Sequence, residues 1–195
     1  MKGRIVTTAS ADVPLKGLVP LLEALAKLRT ERDVHLVVVG SLRKGGATEE
    51  TLDRLDLNDA VEFVSDVAEP ELVEIFGSAQ VAVVPSLYEG FSLPAVELMS
   101  CATPLVATNA GALPEVVGPD GEAVLRVEPG DPQELAVALG RLLDDDELAA
   151  RIGAAGRARV IENYTWSVVA ARTADWYRQC LAKAADGTEE DHADR

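Results

Sequence analysis

The most constraining feature of this sequence is a series of short apolar runs with helix-length segments between them. Residues 5–8, His35–Val39, Val61–Val64, Val81–Val84, Leu105–Thr108 and 123–127 each read as a strand. Runs such as Leu36-Val37-Val38-Val39 are apolar at consecutive positions, the pattern of strands buried on both faces. Between the runs, Leu18, Leu21, Leu22, Leu25 and Leu28 fall on one helix face. Thr48 is placed to cap a helix reaching about Leu55, and Pro70 opens another that ends near Gly77. Ser92 reads as the N-cap of a helix to about Ser100, with Pro94 in its first turn. Pro114 starts a short helical turn, and Asp131-Pro132 pairs an N-cap with proline at the first helical position. From there to about Cys180 the chain reads as helix, with breaks near Asp144 and Asn163. Residues 183–195 are charged with no apolar face and read as a disordered acidic tail. The alternation predicts one α/β domain over residues 1–182: a parallel six-stranded sheet, helices on both faces and right-handed crossovers. Such sheets bind ligands at the carboxyl ends of their strands.

Charge narrows the partners. The chain carries 18 Lys+Arg against 33 Asp+Glu, a formal charge of −15. Nucleic-acid binding driven by phosphate neutralisation does not fit that balance. A local lysine and a helix N-terminus still suit an anionic ligand, because the screening length is about 8 Å at physiological salt. No apolar run approaches the ~20 residues of a membrane span, and the first residues lack a secretory h-region. Cys101 and Cys180 form no disulfide framework or metal spacing. Both read as reduced thiols of a cytoplasmic protein.

The stretch richest in chemistry is Ser86-Leu87-Tyr88-Glu89-Gly90-Phe91-Ser92-Leu93-Pro94-Ala95-Val96-Glu97. A buried strand ends, a glycine turn follows and a helix begins. Around Gly90, the amides of Phe91, Ser92 and Leu93 belong to a helix N-terminus and suit a phosphate or a polarised sugar oxygen. Glu89 and Glu97 flank that donor patch and are able to accept from hydroxyls. The same stretch also reads as a plain strand-to-helix connection with two exposed glutamates.

The resemblance is more specific. Residues 89–97 look like the Glu-x7-Glu signature of the retaining, α-forming glycosyltransferases of the GT-B fold. Its surroundings are also similar: the preceding Val-Pro-Ser, then Cys101-Ala-Thr-Pro-Leu-Val-Ala107, and Asn109-Ala-Gly-Ala-Leu-Pro-Glu115. Asp120-Gly121, Pro129-Gly-Asp-Pro132 and Tyr164-Thr-Trp166 follow in the family's order, so the resemblance covers nearly all of residues 1–180. It implies the C-terminal, Rossmann-like, doubly wound domain of a GT-B fold, which binds a nucleoside diphosphate sugar. By the resemblance, Glu89 is the catalytic residue beside the transferred sugar and helps stabilise the developing oxocarbenium charge. Phe91, Ser92 and Leu93 offer amides to sugar and diphosphate, and Glu97 holds the ribose hydroxyls. Lys16 of Leu15-Lys16-Gly17 matches the family's diphosphate-binding lysine, and Val64 is expected to read the base edge, beside Ser65, where the family commonly has glycine.

One position departs from the pattern. The family usually carries arginine five residues before the lysine, and this chain has Ala11, with Ser10 beside it. Ser10 replaces part of a hydrogen bond but not the charge. Arg43 and Lys44 are alternative cations or plain loop charges. No Asp-x-Asp motif sits in a loop after a strand, and no metal and no cofactor beyond the donor substrate are expected.

The fold that the resemblance implies has two α/β domains, and this chain opens on the first strand of the second. The acceptor-binding N-terminal domain is expected to be absent, so the chain alone should bind donor weakly without transferring sugar. Trp176 and Tyr177 then lie on a partly exposed helix face that is able to drive a homodimer. Two other readings stand beside this one: a nucleotide-sugar epimerase or hydrolase of the same fold, and a stand-alone nucleotide-binding or interaction module.

Overall fold

A computed structural model describes residues 1–9 and 13–190, with the backbone alone for 185–190. The chain divides into two compact units, Met1–Arg159 and Val160–Arg195. The first holds six strands: β1 (Arg4–Thr8), β2 (His35–Val39), β3 (Val61–Val64), β4 (Val81–Val84), β5 (Leu105–Thr108) and β6 (Leu125–Val127). All pair in parallel, in the order β3-β2-β1-β4-β5-β6. That is the doubly wound order, in which the direction of winding reverses between β1 and β4.

The helices are α1 (Leu18–Arg29), α2 (Ala47–Leu55), α3 (Glu69–Ser78), α4 (Leu93–Ser100), α5 (Leu113–Val117), α6 (Pro132–Asp144), α7 (Asp146–Asn163) and α8 (Trp166–Glu190). On one face of the sheet, Ile5, Leu36, Val38, Val81 and Val83 form a core layer with Leu21, Leu25, Leu52, Leu135 and Leu139 of α1, α2 and α6. The alternate strand residues Val6, Val37, Ala82 and Ala107 are equally buried on the opposite face, where α4 and α5 pack. Burial of both faces is why consecutive positions in these strands are apolar.

Three boundaries differ from the sequence reading. Thr48 lies inside α2, whose N-cap is Gly46. An extended Gly46 lets the helix start earlier than a hydroxyl cap at Thr48 would. The sixth strand is confined to Leu125–Val127, because Asp120 and Val124 form only an isolated bridge before it. In the second unit α8 continues to Glu190, past both the expected end near Cys180 and the start of the expected tail at residue 183. The alanines of Leu181-Ala-Lys-Ala-Ala185 are strong helix formers, and no proline interrupts them. The remainder of that tail, 191–195, lies outside the described residues.

Trp166, Trp176, Tyr177 and Leu181 of α8 are exposed, as the sequence led us to expect for Trp176 and Tyr177. Cys101 and Cys180 are free thiols. Among the described residues no helix is long and apolar enough to cross a membrane.

Candidate functional site

A cavity of about 610 Å³ opens at the carboxyl ends of the central strands. Thr8 and Ala9 line it at the end of β1, Val39, Gly40 and Ser41 at the end of β2, and residues 64–67 at the end of β3. Val84 and Ser86 close it on the β4 side, with Leu72 of α3, Pro94 of α4 and the side chains of Lys16 and Glu89. It thus spans the point where the winding direction reverses, the place where doubly wound sheets hold ligands. A second cavity, of about 670 Å³, runs along the outer side of α1 and α6 past Arg32, Val137 and Asp144. It lies along these helices and not at the ends of the strands.

The two loops that meet at the reversal are clasped together. Pro14–Lys16 form a single 3-10 turn, and Gly17 follows it with φ 67°. A Cβ on Gly17 would stand 1.9 Å from the Pro85 carbonyl oxygen, so only glycine lets the chain after β1 approach the chain after β4 this closely. The Leu87 N–H donates to the Leu15 carbonyl at 2.8 Å, completing the clasp.

That clasp brings Lys16 to Glu89. The Lys16 Nζ lies 2.7 Å from Glu89 Oε1, and Ser86 Oγ donates to the same oxygen at 2.8 Å. The Glu89 side chain is only 10% exposed and that of Lys16 30%, so the pair is partly shielded from water. From the other side, the Ala112 N–H donates to the Glu89 carbonyl at 2.8 Å. Gly111, at φ 55°, makes room for that contact, since a Cβ there would meet the same carbonyl at 2.1 Å. Glu89 is therefore held by its backbone from the loop after β5 and by one carboxylate oxygen from Lys16 and Ser86.

The start of α4 forms the rim. Gly90 has open space around it and does not adopt the left-handed conformation. Ser92 takes that conformation instead, at φ 77° and ψ 78°, while buried. Its hydroxyl caps the helix by accepting from the Ala95 N–H at 3.4 Å, which compensates part of the strain. Among the described residues, the Ser92 and Leu93 N–H groups donate to no protein acceptor. Phe91 and Leu93 expose their side chains, and Glu97 is exposed one turn along α4 from the cavity-lining Pro94.

Of the residues singled out from sequence, Lys16, Glu89 and Val64 line one cavity. Gly90, Phe91, Ser92, Leu93 and Glu97 sit beside it without lining it. Ser10 lies outside the described residues, as does Ala11. Sequence reasoning missed the direct Lys16–Glu89 pair, which joins positions 73 residues apart, and the roles of Gly111 and Ala112 in gripping Glu89.

Residues 1–159 match the family model described as glycosyl transferases group 1. The chain is 50% identical over 185 residues to an MMP α-(1→4)-mannosyltransferase of Mycolicibacterium hassiacum, covering 95% of this chain and 45% of that protein. It spans less than half the length of that curated relative. Among solved structures it is similar to a sucrose-phosphate synthase from Thermosynechococcus elongatus, at TM-score 0.79 and 32% identity over 93% of this chain and 46% of that one. It is also similar to the Anabaena protein HepE solved in complex with UDP, at TM-score 0.80 and 25% identity over 91% of this chain and 49% of that one. With a matching model over most of its length and the doubly wound sheet to go with it, this chain belongs to the group 1 glycosyl transferases.

Proposed function

We propose that this chain binds the donor for a retaining glycosyltransferase, which moves a sugar from a nucleoside diphosphate to an acceptor hydroxyl. The observation that carries the proposal is the convergence of Lys16 and Glu89 in the cavity at the winding reversal, beside the N-terminus of α4. A cation and a helix start suit a diphosphate. A shielded carboxylate suits the hydroxyls and the developing positive charge of a sugar. The UDP complex of HepE and the mannosyltransferase relative support the same reading.

In this reading Lys16 takes the diphosphate, with the amides of Phe91, Ser92 and Leu93 beside it. Val64 meets the base, and Glu97 accepts from the ribose diol. The bond from the anomeric carbon to the diphosphate oxygen breaks, and a bond to the acceptor oxygen forms with the anomeric configuration kept. Charge on the departing diphosphate is met by Lys16 and the amides, without a metal ion. Acceptor recognition belongs to residues beyond this chain.

The test is calorimetric titration with UDP, GDP and ADP on the wild-type chain, Lys16→Ala and Glu97→Ala. One diphosphate should bind saturably, and each substitution should weaken it about tenfold, the value of one charge-assisted contact. Absence of binding by all three at millimolar concentration would remove the reading.

A further inference from the structure

Glu89 Oε1 accepts from two donors of different kinds. One is the ammonium of Lys16, at the end of a flexible stem, and the other the hydroxyl of Ser86, which is buried just past the end of β4. Ser86 is itself anchored: its carbonyl accepts from the hydroxyl of Thr108, fully buried at the end of β5. Thr108 is in turn followed by Asn109, whose N–H donates to the Val127 carbonyl of β6 at 2.8 Å. A line of hydrogen bonds thus runs from the sheet through Thr108 and Ser86 to one oxygen of Glu89.

Resting on the function proposed above, we infer that Ser86, backed by Thr108, is a positioning residue that keeps Glu89 aimed when Lys16 turns from Glu89 to the donor diphosphate. Lys16 neutralises Glu89 across their 2.7 Å contact. A bound diphosphate carries more charge and competes for the same ammonium. A four-carbon stem whose side chain is 30% exposed has freedom to follow it. Glu89 then loses its cation, and its backbone grip from Ala112 leaves the side-chain torsions unset. The Ser86 hydroxyl, fixed by a buried backbone, holds Oε1 in place. The second carboxylate oxygen, Oε2, is left for a sugar hydroxyl. Ser86 touches no substrate in this scheme and acts only through Glu89.

The test separates diphosphate binding from sugar binding. Dissociation constants are measured for UDP, GDP and ADP and for their glucose and mannose esters, on the wild type, Ser86→Ala and Ser86→Thr. For the diphosphate that binds, Ser86→Ala should weaken the tighter sugar ester about tenfold while changing the bare diphosphate less than twofold. Ser86→Thr keeps the hydroxyl and should stay within about threefold of wild type for both. A merely structural serine would weaken both ligands together in Ser86→Ala, and that result overturns the inference. So does an alanine variant that leaves the sugar ester unaffected, while the donor-site reading survives. A wild type that binds no diphosphate removes the donor-site reading itself, and this inference with it.

Discussion

At the residue scale, Gly111 tests how far the candidate site depends on one missing Cβ. Two penalties meet there: the left-handed conformation at φ 55° and a collision with the Glu89 carbonyl at 2.1 Å. The first costs about 1–2 kcal/mol for a residue with a Cβ, and moving a packed loop adds about 1–3 kcal/mol. Gly111→Ala should therefore destabilise the chain by about 3 kcal/mol in urea denaturation. Gly45 supplies the control, because it has a similar φ of 71° with nothing within 4 Å of an added Cβ. Gly45→Ala should cost about 1 kcal/mol, the conformational part alone. Equal costs at the two positions would mean that the loop after β5 yields freely and does not grip Glu89. If the grip is real, Gly111→Ala also weakens sugar-ester binding, because the carbonyl that Ala112 holds belongs to Glu89.

At the element scale, the end of α6 is tied to the segment after α1 by a two-point ion pair. Arg32 Nε and Nη2 donate to Asp144 Oδ1 and Oδ2 at 3.0 and 2.6 Å. The hydrogen bonds from Arg32 hold the Asp144 carboxyl below its ordinary range, with the Arg32 charge adding to them and burial opposing. A carboxylate with a depressed folded value contributes stability that is complete above its unfolded value, near 4, and is lost as pH falls through the folded value. Both side chains stay in contact with water, so the contribution is that of a surface pair, about 0.5 kcal/mol. Asp144→Asn should lower stability by that amount at neutral pH, and the gap should close below about pH 4. Denaturation curves at pH 7, 4 and 3 check this; a gap that widens on acidification would contradict the sign.

Elements were legible in the sequence wherever burial dictated composition. A parallel strand covered on both faces is apolar at nearly every position, so β2, β4 and β5 declared themselves. Proline at N1 did the same for α6, where Asp131 Oδ1 accepts from the N–H groups of Gln133 and Glu134. Thr48 misled because a hydroxyl near a helix start usually caps it, yet Gly46 stands in the extended conformation that the cap position needs. The start of α4 carries its positive φ at Ser92, which the sequence marked only as the cap. The Lys16–Glu89 pair left no local trace, since it arises only when the loops after β1 and β4 become neighbours in the sheet order.

At the scale of the whole molecule, a chain of net charge −15 is proposed to receive an anion. The two facts act over different distances. Lys16 acts in contact with its partner, where salt screens weakly. The surface carboxylates act at long range, and their field reaches about 30 Å at 0.01 M salt but only about 8 Å at 0.15 M. Low salt should thus slow the approach of a diphosphate without loosening it once bound. The association rate should rise about threefold between about 10 and 150 mM salt, with the dissociation rate nearly constant. Affinity then improves with salt over this range, opposite to a site set in a basic surface. Stopped-flow measurement of both rates on the wild-type chain decides the matter. An association rate that falls with salt would mean that the local field of Lys16 and the start of α4 extends past the acidic surface and steers the ligand inward. Lys16→Ala resolves that case, because removing the steering charge would restore a rate that rises with salt.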